Sequence, residues 1–268
     1  MDMGVRFDEI DKSLRDRQYA KVPFHVDQER IQQVMEAFFA FLTLPQEQKN
    51  ELFFNKDPLE RAGTGYVRRD KSTGDGDTKE FVHFHPSLFE ECRDKSVLST
   101  QIAKHFLEEA DFIYRKAGSL CRDVIASFEP HFPGISEKCI SSDGMPASAV
   151  LRFLKYEPAG KGNFLAHAHY DRGNMTFALA ESAPGLRIGK NNETLQPVEH
   201  HEHEAIFMPA FRFGDITDNT YLPAWHDVVQ ASKKTYSHSA ARWALVFFAD
   251  TRDSVVPPTK EQCETPLV

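Results

Sequence analysis

The chain has 268 residues, 40 acidic and 32 basic side chains for a formal net charge of −8, and 41% apolar residues. These values belong to an ordinary globular protein and exclude disordered and collagen-like chains. A net acidic chain whose clustered basic pairs are Arg68–Arg69 and Lys233–Lys234 is also poorly suited to nucleic acid, where phosphate neutralisation dominates affinity.

From the first residue, MDMGVRFDEIDKSLRDR is charged throughout and lacks the apolar centre of a secretory signal, so the expected location is the cytoplasm. Residues 27–41 place Ile31, Val34, Met35, Phe38 and Phe39 at helical spacing, with Asp27 as a plausible N-cap. Pro45 ends that helix, and a short helix over 46–53 follows. Residues 61–77, with glycines at 63, 65, 74 and 76, read as a loop able to line a site. The longest helix is expected between residues 97 and 128, on a stripe from Leu98 and Ile102 to Val124 and Phe128. After Pro133-Gly134 the texture changes. Residues 149–156, 175–180, 186–188, 205–208, 225–230 and 242–249 are short, rich in β-branched, aromatic or aliphatic residues, and separated by turns. The expectation is a mainly helical region, 1–140, packed on an all-β core, 141–268, as one structural unit. The longest apolar run, residues 243–249, is far below the ~20 residues that cross a bilayer. Cys92, Cys121, Cys139 and Cys263 contain no CxxC and read as reduced, packed thiols.

Histidine is the feature of the composition that needs explaining, with 12 in the chain. His167, His169 and Asp171 stand on alternate residues of FLAHAHYDRGNMTF, so an extended chain points them to one face. Two imidazoles and a carboxylate on one face of an octahedron leave three positions open, the arrangement of non-haem iron(II) oxygenases. One ligand must come from elsewhere in the chain, and His200, His201, His203, His226 and His238 are the candidates. The trio in VEHHEHEA lies among Glu199, Glu202 and Glu204 and reads as a solvated loop, whereas His226 sits in the strand-like LPAWHDVV. HxHxD also opens the motif of metallo-β-lactamase-like hydrolases, but that motif needs a histidine after the aspartate, and Arg172 follows here.

His169-Tyr-Asp171-Arg-Gly173-Asn-Met-Thr176 fits HxDxGxxT, and with it the chain resembles the isopenicillin N synthase-like iron(II)/2-oxoglutarate-dependent oxygenases. LRFLKYEP at 151–158 is similar to the strand before that motif, PGLRI at 184–188 to the stretch after it, WHDVV at 225–229 to the distal-histidine strand, and RWALVFF at 242–248 to the arginine strand. Upstream, FFAFLTLPQEQK at 38–49, Gly65-Tyr66 and Lys79-Glu-Phe81 resemble the family's N-terminal helical region.

The resemblance implies an α+β fold, a double-stranded β-helix (jelly roll) with an N-terminal helical region packed around it. It implies Fe(II) held by His169, Asp171 and His226, with 2-oxoglutarate as co-substrate. Arg242 would meet the distal carboxylate of 2-oxoglutarate, because a planar guanidinium matches it bidentately, and Tyr156 would add a hydroxyl. The implied activity is a dioxygenase that hydroxylates or otherwise oxidises a small organic molecule with O2, releasing succinate and CO2. Arg172, Arg68 and Tyr66, with Arg69, are the expected substrate positions, and the arginines suggest an anionic substrate. Ala244 stands where the family usually has a serine, and Leu154 where it often has an asparagine. These departures leave the iron ligands intact and keep open an iron(II) oxidase without 2-oxoglutarate, of the isopenicillin N synthase type, or a different keto acid; a non-catalytic jelly-roll binding protein is a separate alternative.

Overall fold

The structure, a computed structural model, describes residues 5–54, 64–69, 78–158, 164–230, 240, 242–252 and 258–267. The N-terminal part runs α1 (Phe7–Arg17), β1 (Ala20–Pro23), α2 (Gln28–Leu42), α3 (Gln46–Glu51), β2 (Phe53–Phe54), β3 (Thr64–Arg69), β4 (Lys79–Phe84), α4 (Leu88–Glu91), α5 (Gln101–Phe128) and α6 (Ile135–Cys139). The remainder is β5 (Ser148–Tyr156), β6 (Phe164–His169), β7 (Met175–Glu181), β8 (Leu186–Gly189), β9 (Gln196–Pro197), β10 (Glu204–Pro209), β11 (Trp225–Val229), β12 (Arg242–Asp250) and α7 (Lys260–Glu264). The strands form two antiparallel sheets, one of eight in the order β1-β10-β7-β12-β5-β4-β3-β2 and one of four in the order β6-β11-β8-β9.

The six strands expected after residue 140 are present, and β6 and β9 join them. The helices-first reading needs correction, because β1 to β4 lie before residue 140 and extend both edges of the large sheet. These strands are two to six residues long, too short for periodicity to announce them. β3 falls inside the stretch read as a loop. Gly65 makes its pairing with β2 possible: its φ is +110°, and a Cβ there would stand 2.0 Å from the Leu52 carbonyl oxygen. The long helix also differs at its start. A 3-10 turn (Ser96–Ser99) precedes α5, and the Thr100 hydroxyl caps the helix by accepting from Ala103 N at 3.2 Å. Asp27 does occupy the cap position of α2, but its side chain makes no cap hydrogen bond.

Two apolar layers result. The first joins α2 and α5 to one face of the large sheet, with Phe38, Phe106 and Phe153 in mutual contact at ring-centroid separations of 5.0–5.7 Å. Burying each such side chain contributes about 1.5–3 kcal/mol. The second lies between the sheets, where Phe81, Leu154, Ala178, Ile206 and Met208 face Leu165, Ile188 and Val228. The four cysteines are free and buried, as the sequence suggested. No helix among the described residues is long and apolar enough to cross a membrane.

Candidate metal centre

The site begins with the pairing of β6 and β11, in which His169 and His226 are direct cross-strand partners. The next pair is Ala166 with Val228, so three steps of β6 oppose two of β11. This bulge breaks the strict alternation that would have put His167 on the face of His169. His167 is exposed, while Ala166 packs in the layer between the sheets. β6 ends at His169, so Asp171 reaches the same point from a loop and not by strand alternation. That loop is pinned. Phe211 N donates to the Asp171 carbonyl and Arg212 N to that of Gly173, both at 2.8 Å. The buried Asn174 amide donates to the Arg212 carbonyl at 2.7 Å and accepts from Thr251 N at 3.1 Å.

Ligand atoms of His169, Asp171 and His226 all lie within 4.8 Å of one another. Asp171 Oδ1 is 3.7 Å from His169 Nε2, and Oδ2 is 3.6 Å from His226 Nε2. Each imidazole turns its Nδ1 to the carbonyl two residues earlier, His169 to His167 at 2.7 Å and His226 to Ala224 at 2.9 Å. A carbonyl only accepts, so Nδ1 carries the proton and each Nε2 keeps its lone pair for the cluster. Thr176 Oγ1 donates to Asp171 Oδ2 at 2.8 Å and fixes the carboxylate.

Burial by itself would raise the Asp171 carboxyl. The His226 and His169 imidazoles and the Thr176 hydroxyl outweigh it and hold the group well below the usual carboxylate range. Burial pushes His226 below its ordinary value against the pull of Asp171, which favours the neutral imidazole that metals bind. Two neutral nitrogens and one anionic oxygen at one point fit a divalent ion of intermediate softness.

Arg242 opens β12 and is buried, its Cζ 5.6 Å from the ring of Tyr156, its register partner on β5. Its guanidinium already has company: it pairs with Glu181 at the end of β7, and Nε donates to the Ala183 carbonyl at 3.0 Å. Nothing in the sequence pattern singled out Glu181. Ala244 and Leu154, register partners beside this pair, add no polar group.

The expected substrate positions fare differently. Tyr66 faces the helix side of the sheet, where its hydroxyl donates to Glu80 at 2.7 Å and its ring meets Phe41, so it lies outside the layer that holds the candidate metal ligands. Arg68 shares that side of β3 and is exposed. Arg69, one residue on, is turned the other way, with its Cζ 5.6 Å from the Phe81 ring. Arg172 is exposed. Among the remaining histidine candidates, His200, His201 and His203 stay in the loop before β10, where His200 Nε2 meets the Glu204 carbonyl at 2.7 Å, and His238 lies outside the described residues. Sequence reasoning also missed Arg152 and His83. The available signal was the alternation of Arg152 with Leu154 and Tyr156 in LRFLKYEP.

No protein-family model matches the chain, and no curated protein matches its sequence. Solved structures do match its fold. A protein from Caulobacter crescentus assigned to the 2OG-Fe(II) oxygenase family superposes with a TM-score of 0.70 at 20% identity, over 96% of this chain and 85% of that one. A full-length Neurospora crassa protein, solved with alpha-KG and 5-formyluracil, gives 0.68 at 17% identity, over 90% and 77% of the two chains. An Arabidopsis thaliana dioxygenase for auxin oxidation, solved with 2-oxoglutarate, gives 0.63 at 15% identity, over 97% and 89%. The chain therefore has the double-stranded β-helix fold of the 2OG-Fe(II) oxygenases.

Proposed function

We propose that the protein is a non-haem iron(II), 2-oxoglutarate-dependent dioxygenase that oxidises a small organic molecule with O2, releasing succinate and CO2. One observation carries this reading: His169, Asp171 and His226 meet within 4.8 Å, with both Nε2 lone pairs and the carboxylate directed at one point. The Neurospora and Arabidopsis structures, which share the fold, hold alpha-KG and 2-oxoglutarate, and this supports the same co-substrate here. Iron(II) with 2-oxoglutarate and O2 supplies the oxidising power for a substrate C–H bond.

The chain's own residues do the rest. The carbonyls of His167 and Ala224 orient the imidazoles, and Thr176 orients Asp171. Leu154, Ala178, Ile206, Met208 and Val228 provide an apolar wall that excludes water. Arg242 and Tyr156 offer the cationic end suited to the distal carboxylate, and Glu181 holds that guanidinium until a second carboxylate replaces it.

The test is an anaerobic titration with Fe(II) followed by 2-oxoglutarate, which should produce the visible charge-transfer band of the chelate. Failure to bind iron overturns the reading. Iron binding without the band favours the second reading, an iron(II) oxidase that draws all four electrons from its substrate. The buried Arg242–Glu181 pair, with Ala244 and Leu154 beside it, speaks for that alternative. Glu181→Gln separates the two. It tightens 2-oxoglutarate binding on the order of tenfold if Arg242 is the anchor, the scale of one charge-assisted hydrogen bond, and changes nothing if it is not.

A further inference from the structure

We infer that Arg152 is the anchor for the substrate's carboxylate, so that the substrate is a small organic monocarboxylate with a flat or apolar body. This deepens the proposed function and rests on it for the oxidation of that acid, though the anion subsite stands on its own geometry.

Arg152 lies on β5 opposite His83 of β4 and Val246 of β12. Its Nε donates to His83 Nε2 at 2.7 Å, and its Cζ lies 4.6 Å from the Phe248 ring and 5.2 Å from the Phe81 ring. The two rings cover the guanidinium by cation–π contact, which leaves the Nη edge for an acceptor. Among the described residues no carboxylate forms an ion pair with Arg152, whereas Arg242 at the other end of the same strand pair has Glu181. Arg69 brings a second guanidinium to the same Phe81 ring at 5.6 Å.

Two cations converging on one ring repel each other, and a half-buried cation that no described carboxylate contacts directly leaves part of its desolvation cost unrecovered. Burial accordingly pulls the Arg152 pKa below its ordinary value, with a smaller opposing pull from Asp171. An anionic ligand resolves both.

The register puts this subsite beside the metal. Phe248 is the direct partner of Thr176, whose hydroxyl holds Asp171. Arg152 is four residues from Tyr156, the partner of Arg242, so the two arginines are rooted ~13 Å apart along the sheet. One therefore suits a co-substrate and the other a substrate. A carboxylate is favoured because a guanidinium edge matches it bidentately, and the flanking Phe81 and Phe248 suit an apolar body.

The experiment uses 15N-arginine-labelled protein, with the Arg152 Nε–H resonance assigned by its loss in Arg152→Lys. Acetate, benzoate, phenylacetate, their primary amides and 2-oxoglutarate are titrated into Zn(II)-loaded protein and again after EDTA treatment. We expect at least one monocarboxylate to shift the Arg152 resonance in both states while its amide does not. Arg152→Gln should weaken that acid on the order of tenfold or more, the scale of a lost charge-assisted hydrogen bond, and Arg152→Lys, which keeps the charge and not the fork, should fall between. The proposal is overturned if no acid moves the resonance, if amide and acid act alike, or if 2-oxoglutarate alone moves it. Carboxylate binding that persists after EDTA, in a protein that fails to bind Fe(II), leaves the subsite standing and removes the oxidative reading.

Discussion

The two faces of the eight-stranded sheet carry opposite chemistry on the same strands. On β12, Trp243, Leu245 and Phe247 enter the helix layer, while Arg242, Ala244 and Val246 face the second sheet. On β5, Leu151 and Phe153 point one way and Arg152, Leu154 and Tyr156 the other. Strand alternation makes this separation possible, because a period of two sends consecutive residues to different environments. The helix-side face is closed by aromatic packing and holds the fold. The layer between this face and the four-stranded sheet can then tolerate the His169–Asp171–His226 cluster, a buried ion pair and, among the described residues, a guanidinium without an ionic partner, each of which costs stability.

That division can be broken experimentally, and the largest effect belongs to the layer between the sheets. Replacing His169, Asp171 or His226 with Ala should lower Fe(II) affinity by more than ~100-fold, beyond the 10–100-fold typical of residues that merely support ligands. The far-UV circular dichroism should stay the same. Phe153→Ala should show the converse. Its loss of about 3–5 kcal/mol would appear in denaturant unfolding, while the folded fraction binds Fe(II) within about twofold of wild type, the scale of an undisturbed site. If metal affinity fell with stability, the two faces would be coupled. Thr176→Val should weaken Fe(II) binding by about 10–100-fold with little change in unfolding.

The smallest effect concerns a polar exception on the helix side. The Glu80 carboxylate is buried, accepts from Tyr66, and pairs with Lys49 and Lys155 at 3.3 and 3.2 Å. Burial would raise its pKa, but Tyr66 and the two lysines outweigh this and hold it below the ordinary carboxyl value. Its contribution is present above that ordinary value and is lost as pH falls through the lowered one. Acid titration of unfolding stability should therefore fall more steeply below about pH 4.5 in wild type than in Glu80→Gln.

Much of the inner site was legible beforehand. HxDxGxxT carries the loop that delivers Asp171 together with Thr176, which steadies it, and WHDVV announces a strand bearing a histidine. The failures have specific causes. Strict alternation would put His167 beside His169, but a bulge turns it out to solvent. Tyr66 and Arg68 share a parity on β3 that directs Tyr66 to the helix layer, while Arg69 has the parity that faces the inner layer. No reading of glycine content could assign those parities without knowing that residues 64–69 form a strand.

By itself the sequence determined the ligand types, the helix stripes and most long strands, because these follow from local periodicity and from side-chain chemistry only a few residues apart. The tertiary structure alone decided that His226 meets His169, that Glu181 covers Arg242, and that Arg152 faces Phe248 beside the candidate metal site with no carboxylate partner among the described residues. Each of these depends on sheet register between distant segments. Long-range pairing is selected by the packing of both faces together, which no short window of sequence contains.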